Sequence, residues 1–253
     1  MQIIELYRKL NEAIPVSLSE EWDNDGLMCC PSPTRECRRI LLTLDVTRAA
    51  ADYAAQNRCD TVISHHPLIF HPLRGLTDPK LIELVRQDIA VFSFHTRLDS
   101  MQGGVNDRLA AVLGLREVTP FGSGMGRVGI LPRDMTPDEL CTHVQSVLDA
   151  PCVRFAGPAR AVRRVAVLGG AGGDFIRDAQ NCGADAYISG EFSHHHLTDA
   201  PENGILLLEA GHHHTENPVL EVLHDMILSF DPAVTILQWN ADRVRVLGPN
   251  KER

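Results

Sequence analysis

The stretch "RRILLTLDVTRAAADYAAQNRCDTVISHH" (residues 38–66) decides the fold class of this 253-residue chain. Its apolar run 40–44 is short and continuous, which is typical of a strand buried on both faces. The alanine-rich middle favours a helix, and the β-branched residues 61–63 favour a second strand. The stretch therefore predicts a strand, a turn, a helix and a strand, the elements of an α/β protein.

The same pattern recurs 125 residues further along the chain. Residues 163–191, "RRVAVLGGAGGDFIRDAQNCGADAYISGE", align with it without a gap. The identities include Arg38/Arg163, Arg39/Arg164, Asp60/Asp185, Ile63/Ile188 and Ser64/Ser189. Chance similarity stays open, because such units share composition. We predict two α/β lobes related by internal duplication, 1–120 and 121–253, with a metal site between them at the strand ends. The C-terminal strands "VTILQW" and "RVRVLG" could return to the first lobe.

Histidines concentrate where these strands end. Ten of the twelve fall in four places: 65, 66 and 71; 95; 194–196; and 212–214. Pro67 disfavours a helical conformation at His66, and in extended backbone neighbouring side chains point to opposite sides. His65 and His66 are then expected to serve two different ions. For an isolated His-His pair, a solvated loop is the alternative.

Two further segments continue the repeat loosely. "IAVFSFHTRLD" and "ILLLEAGHHHTE" are each an apolar strand ending in histidine, with a carboxylate four residues later. The pairs are His95–Asp99 and His212–Glu216. Ligand sites in open α/β sheets lie at the carboxyl ends of strands, so these residues are candidates for one site.

The combined residue types favour a transition-metal centre. The metal-ligand candidates are His65, His66, Asp99, His212 and Glu216, with His95 close to them. Imidazole and carboxylate together suit zinc, manganese, iron, cobalt or nickel, whereas calcium takes oxygen ligands. Five ligands exceed what one catalytic zinc takes from protein, so we predict two divalent ions per subunit. Two such ions can share and activate a water for hydrolysis.

The chain also resembles a known family over nearly its full length, the GTP cyclohydrolase 1 type 2 homologues or NIF-three-like proteins, in a short form without the inserted domain. The resemblance rests on "EEWDNDGL", "LTLDVT", "VISHHPLIF", "HTRLD", "GGVNDRLA", "YISGEFSHHH" and "GHHHTENPVL", in the family's order. It implies a two-lobed α/β subunit, a toroidal homohexamer and two metals in each subunit.

The resemblance also implies roles for single residues. Glu216 bridges the ions, His66 and Asp99 complete one ion, and His65 and His212 complete the other. His195 follows Ser189-Gly190-Glu191, where the family carries a Thr-Gly-Asp-like segment. We expect His95 or His195 to move protons, because imidazole titrates near neutral pH.

Three further sequence features each allow two interpretations. Arg97 could meet a substrate phosphate, although an ion pair with a carboxylate is favoured. Asp45 either orients a metal ligand or caps the next helix together with Thr47. The glycine-rich run 168–175 could cradle a phosphate, but a plain tight turn is favoured.

Composition narrows the function. The formal net charge of −9 argues against nucleic-acid binding, and no apolar run or signal peptide indicates a membrane or export. Seven cysteines without Cys-x-x-Cys spacing indicate reduced thiols in a cytoplasmic protein. We predict a metal-dependent hydrolase acting on a nucleotide or another small phosphorylated or cyclic substrate. The alternative is a non-enzymatic hexamer for metal trafficking, sensing or scaffolding, since fold and ligand set do not fix a reaction.

Overall fold

The computed structural model of the chain describes residues 1–246, and its elements follow the predicted α/β pattern. The helices are α1 Ile3–Ala13, α2 Arg48–Gln56, α3 Pro79–Arg86, α4 Thr96–Ser100, α5 Val105–Val112, α6 Pro137–Val147, α7 Ile176–Asn181, α8 His194–Asn203, α9 His212–Glu216 and α10 Val219–Phe230. The strands are β1 Gly26–Cys29, β2 Arg39–Thr43, β3 Thr61–Ser64, β4 Ala90–Ser93, β5 Arg116–Phe121, β6 Gly126–Met135, β7 Arg154–Ala156, β8 Val162–Ala171, β9 Ala186–Glu191, β10 Leu206–Glu209 and β11 Thr235–Trp239.

The described chain divides into two compact units. Unit 1 comprises Met1–Val105 and Val219–Asn240, and unit 2 comprises Asn106–Pro218 and the described residues from Ala241 onward. The last predicted strands differ in outcome: 235–239 forms β11 in unit 1, whereas 243–246 is not a strand. The rest of "RVRVLG" lies outside the described residues. The division of the chain into two lobes, 1–120 and 121–253, stays a prediction.

Each unit is built on one sheet among the described residues. Unit 1 has a five-stranded sheet in the order β1-β4-β3-β2-β11, in which only β1 is antiparallel to its neighbour. Unit 2 has a six-stranded sheet in the order β5-β6-β8-β9-β10-β7, in which β8, β9 and β10 are parallel. The carboxyl ends of four parallel strands in unit 1, and of three in unit 2, therefore meet at one edge of each sheet.

Burial on both faces explains the continuous apolar strands. In β2, Ile40 and Leu42 pack into one core cluster with α1 and α10, whereas Leu41 packs into another with α2 and α3. In β8, Val165 and Val167 face one cluster of unit 2, and the alternate residues face another. Local signals fix the flanking helices, as where the Thr47 hydroxyl accepts from the backbone of Ala50 and caps α2.

The backbone pairing reproduces the sequence repeat. Ile40 pairs with Thr61 between β2 and β3, and Val165 pairs with Ala186 between β8 and β9, the same register 125 residues apart. Equivalent side-chain hydrogen bonds also occur in both repeats. Asp60 accepts hydrogen bonds from the backbone amides of Arg38 and Arg39, both at 2.8 Å. Asp185 does the same for the amides of residues 163 and 164, at 3.0 and 2.9 Å.

The third strand of the repeat shifts the sequence alignment by one residue. Ser64 pairs with Ser93, and its counterpart Ser189 pairs with Glu209. Two residues later, His95 therefore corresponds to Gly211, not to His212 as the loose match proposed. His95 and Gly211 both lie immediately before a five-residue helix, α4 and α9. The segments between the second and third strands differ in length, so no gapless alignment could fix this register.

Two further expectations can be compared with residues 1–246. No helix there combines the length and apolar character needed to cross a membrane. All seven cysteines lie in this part of the chain, and each is a free thiol. Burial raises the pKa of Cys29, Cys37 and Cys59 to about 11.

Candidate metal centre

The adjacent histidines of unit 1 lie where the chain bends after β3. The strand ends at Ser64, and His65 and His66 are in bends. Their ring centroids lie 5.0 Å apart, with His65 fully buried and His66 partly exposed. The prediction that these side chains point to opposite sides is wrong, because strict alternation ends with the extended backbone.

His95 joins this pair from the end of β4. Its ring centroid lies 5.3 Å from that of His65 and 5.7 Å from that of His66. One ring nitrogen from each of the three histidines can be chosen so that all lie within 4.8 Å of one another. Asp99, one turn into α4, places Oδ1 3.6 Å from Nε2 of His65. That separation is too long for a hydrogen bond and suits two ligands of one ion.

The Nδ1 atoms of the two adjacent histidines have defined partners. Nδ1 of His65 donates to the carbonyl oxygen of Phe94 at 2.9 Å, and a carbonyl can only accept. The neutral ring therefore carries its lone pair on Nε2, as a metal ligand requires. Nδ1 of His66 lies 2.8 Å from Oδ1 of Asp45. Asp45 thus orients a candidate ligand, while Thr47 caps the helix.

Asp23 holds His95 and the start of α4. Its carboxylate contacts Nδ1 of His95 at 2.9 Å and accepts from the backbone amide and the hydroxyl of Thr96, at 3.1 and 2.7 Å. Burial acts to raise the pKa of Asp23, but the hydrogen bonds from His95 and Thr96 outweigh it and lower the pKa to about 2. The sequence did not predict this role of Asp23, although Asp23 lies inside "EEWDNDGL".

Arg97 is a buried structural residue of unit 1. Its guanidinium donates to Asp25 at 3.0 Å, to Oδ1 of Asn11 at 2.8 Å and to the carbonyl of Ile14 at 3.0 Å. It also lies 4.8 Å from the ring centroid of Phe94. The favoured interpretation of Arg97, an ion pair with a carboxylate, is confirmed. Burial raises the pKa of Asp25, although Arg97 opposes that shift.

In unit 2 the candidate ligands come from one short helix. His212 and Glu216 are four residues apart in α9 and share a face, so Nε2 of His212 lies 3.2 Å from Oε2 of Glu216. Nδ1 of His212 lies 3.0 Å from Oε1 of Glu191, which ends β9. Glu191 therefore contacts Nδ1 of His212 in the same way as Asp45 contacts Nδ1 of His66. The motif "YISGE" does not by itself indicate this role for Glu191.

Glycines at the ends of β8 and β9 make room for α9. Gly170 has a φ of +71°, and a Cβ atom there would meet the Glu216 carboxylate and lie 3.1 Å from Nε2 of His212. A Cβ on Gly190 would lie 2.7 Å from Cα of His212 and 2.8 Å from Oγ1 of Thr215. The glycine-rich run thus has a packing role in unit 2, which agrees with the tight turn favoured over a phosphate cradle.

Unit 2 also contains His195 and His213. His195 is exposed in the first turn of α8, with its ring centroid 4.1 Å from that of His196. His213 lies in α9, with its ring centroid 5.5 Å from that of His214. The catalytic roles of His95 and His195, and the metal roles of the five ligand candidates, stay predictions.

The chain is thus an α/β protein whose strand ends carry histidine and carboxylate groups able to hold a metal ion. Residues 1–241 match the family described as Duf34/NIF3 (NGG1p interacting factor 3), and the chain belongs to that family.

Similar proteins agree with this assignment. A "GTP cyclohydrolase 1 type 2 homolog" of Clostridium perfringens is 35% identical over 233 residues, which are 87% of this chain and 88% of that protein. The crystal structure of Staphylococcus aureus hypothetical protein SA1388 has a TM-score of 0.89 at 25% identity, over 98% of this chain and 99% of that one. Reduced HcgD from Methanocaldococcus jannaschii has a TM-score of 0.82 at 28% identity, over 94% and 97%. The family expected from the sequence motifs is confirmed.

Proposed function

We propose that the protein is a metal-dependent hydrolase with two divalent transition ions per subunit, acting on a nucleotide or another small phosphorylated or cyclic substrate. One observation carries the proposal: an acceptor is in contact with Nδ1 of every candidate imidazole. The acceptors are the Phe94 carbonyl for His65, Asp45 for His66, Asp23 for His95 and Glu191 for His212. Such contacts orient the rings and present Nε2, the usual arrangement around protein-bound metals.

The donor set supports a shared centre made of His65, His66, Asp99, His212 and Glu216. Because Asp99 contacts His65, we assign these two residues to one ion and give His66 and His212 to the other, with Glu216 bridging. This exchanges the two adjacent histidines relative to the family-based assignment. When bound, two such ions would lower the pKa of a shared water and polarise a substrate oxygen.

The chain's own residues would supply the remaining functions. His95 has one ring nitrogen against Asp23 and lies beside His65 and His66, which supports a role in exchanging a proton close to the ligands. The cyclohydrolase name belongs to the relatives, and it supports a nucleotide as one substrate class. We also propose a cytoplasmic location and a homohexamer of closed symmetry, the latter implied by the family resemblance. Light scattering that gives a monomer at micromolar concentration would contradict the hexamer.

A test of the function combines metal analysis with a substrate screen. Protein purified without chelator and loaded with zinc, manganese or iron should retain about two ions per chain. The loaded protein should hydrolyse at least one member of a panel of nucleotides and phosphoesters. His66→Ala should lose activity and retain fewer ions per chain, because His66 is a ligand of one of the two proposed ions.

His224→Ala is the matched control, since His224 is a half-exposed histidine that contacts the adjacent Asp225. Retained activity in metal-free protein would contradict the hydrolase proposal. Full metal content without hydrolysis of any compound would favour the trafficking, sensing or scaffold alternative.

A further inference from the structure

We propose that Trp22 and Phe70 form a stacking site for a planar heteroaromatic ring, such as a nucleobase, beside the candidate metal centre. The proposal deepens the proposed function by naming a substrate class, and it rests on that function for the reaction. The site itself lies wholly within unit 1.

The two aromatic side chains are exposed together. Among residues 1–246, the exposed phenylalanine and tryptophan side chains are Trp22, Phe70 and Phe155, at 62%, 41% and 43% exposure. The ring centroids of Trp22 and Phe70 are 6.1 Å apart. Exposed apolar surface of this kind is unfavourable in water, and a contiguous pair marks a place where something binds.

Their position connects them to the metal-ligand candidates. The ring centroid of His95 lies 6.2 Å from that of Trp22 and 6.4 Å from that of Phe70. His95 also lies 5.3 Å from His65 and 5.7 Å from His66, measured between ring centroids. A base resting on the two exposed rings would therefore have its sugar or phosphate substituent directed within reach of the histidines.

Hydrogen bonds hold both aromatic residues in place. The residue after Trp22 is Asp23, which contacts His95 and Thr96, and the amide of Glu20 donates to the hydroxyl of Thr96 at 3.0 Å. Asn24 donates to the carbonyl of Ile69, the residue before Phe70, at 2.5 Å. The turn 20–25 thus fixes the two segments that carry the rings. Such preorganisation favours a rigid, flat ligand, because little conformational entropy is lost on binding.

The size of the aromatic pair also fits a small ring better than a protein. A stable protein interface buries about 800 Å² on each partner, several times what two partly exposed rings offer. A nucleobase has two flat faces, and stacking on aromatic side chains does not depend on its identity. We therefore assign the site to a heteroaromatic ring and treat a second copy of this chain as the competing occupant.

Trp22 itself provides the measurement. The chain has two tryptophans, and Trp239 stacks against Tyr53 with ring centroids 4.9 Å apart, so Trp239→Phe leaves Trp22 as the fluorescent residue. Chelator-treated Trp239→Phe protein is titrated with GMP, with AMP and with ribose 5-phosphate, which has the sugar and phosphate but no base. Saturable quenching by the two nucleotides, and none by ribose 5-phosphate, is the expected result.

Variants test the second ring. Phe70→Leu should weaken nucleotide binding on the order of tenfold, whereas Phe155→Leu, at a similarly exposed phenylalanine of unit 2, should leave it unchanged. Circular dichroism checks that both variants are folded. Equal quenching by ribose 5-phosphate, or equal affinity in both phenylalanine variants, would overturn the proposal.

Two outcomes separate this proposal from its alternatives. If Trp22 is shielded from acrylamide and Trp22→Leu reduces the oligomeric state in light scattering, a second copy covers the rings and the proposal is wrong. Because the titration uses metal-free protein, base stacking in a chain that fails to bind metal would support the ring site while contradicting the proposed hydrolase.

Discussion

The short helices α4 and α9 begin at equivalent points of the two repeats, but different interactions hold them. In unit 1, polar groups position α4: Asp23 accepts at its first residue, and buried Arg97 pairs with Asp25. In unit 2, close packing positions α9, with Gly170 and Gly190 leaving no space for a Cβ atom.

The strand ends differ in the same way. The β3 end supplies candidate ligands, His65 and His66, where the repeat places Gly190 and Glu191 at the end of β9. In unit 2 the candidate ligands come from the helix instead. The two repeats therefore share a backbone pattern but carry different chemical groups, so ligand positions cannot be transferred from one repeat to the other.

Removing Arg97 should have the largest effect on stability. Arg97→Met leaves the Asp25 carboxylate buried without its ion pair, and we expect a loss of about 3–5 kcal/mol in the free energy of unfolding. Arg48→Met is the control, because Arg48 pairs with Asp52 at 2.9 Å on the surface and such pairs contribute under about 1 kcal/mol. Urea unfolding measures both, and equal losses would contradict a buried positioning role.

Filling the space beside α9 should displace this helix and so reduce both metal binding and stability in unit 2. Gly170→Ala introduces a Cβ atom against Glu216 and His212, so we expect loss of bound zinc and about 3 kcal/mol of stability. Gly183→Ala is the matched control, because Gly183 has a φ of +75° with no atom within 4 Å of the added Cβ. It should lose about 1 kcal/mol and keep its zinc. If both variants keep their zinc, packing does not position α9.

Acid should weaken the hydrogen bonds that Asp23 makes with His95 and Thr96 in unit 1. The folded pKa of Asp23 is about 2, below its usual 3.8, so its stabilisation is complete above pH 4 and is lost as the pH falls toward 2. The amount is roughly 2 kcal/mol. Asp25 acts oppositely because burial raises its pKa. The difference between wild type and Asp23→Asn in urea unfolding at pH 5, 4 and 3 isolates Asp23 and should shrink with falling pH; a constant difference would contradict the lowered pKa.

Substitution of the two equivalent carboxylates, Asp60 and Asp185, should have the smallest and most nearly equal effects on stability. Asp60 and Asp185 each accept from two backbone amides of the preceding strand. Alanine at either position should cost about 1–2 kcal/mol. Hydrogen exchange should show roughly tenfold less protection in β2 for Asp60→Ala and in β8 for Asp185→Ala, with metal content unchanged. Clearly unequal losses would show that the two carboxylates are no longer equivalent.

The sequence predicted the repeated strands and helices because their apolar runs and Ala-rich helix specify them locally. It also predicted that the unit 1 candidates lie close together, since parallel strands end at one sheet edge. It failed where tertiary contacts decide. The bend after Ser64 placed the rings of His65 and His66 5.0 Å apart, and Asp23 and Glu191 reach their histidines from 72 and 21 residues away. No periodic pattern encodes such contacts.

Anomalous scattering from crystals of zinc-loaded protein tests the proposed two-ion centre most directly. We expect two peaks, one contacted by His65 and Asp99, the other by His66 and His212, with Glu216 contacting both. A single peak held by His65, His66 and His95, whose ligand atoms already lie within 4.8 Å of one another, would contradict the two-ion centre.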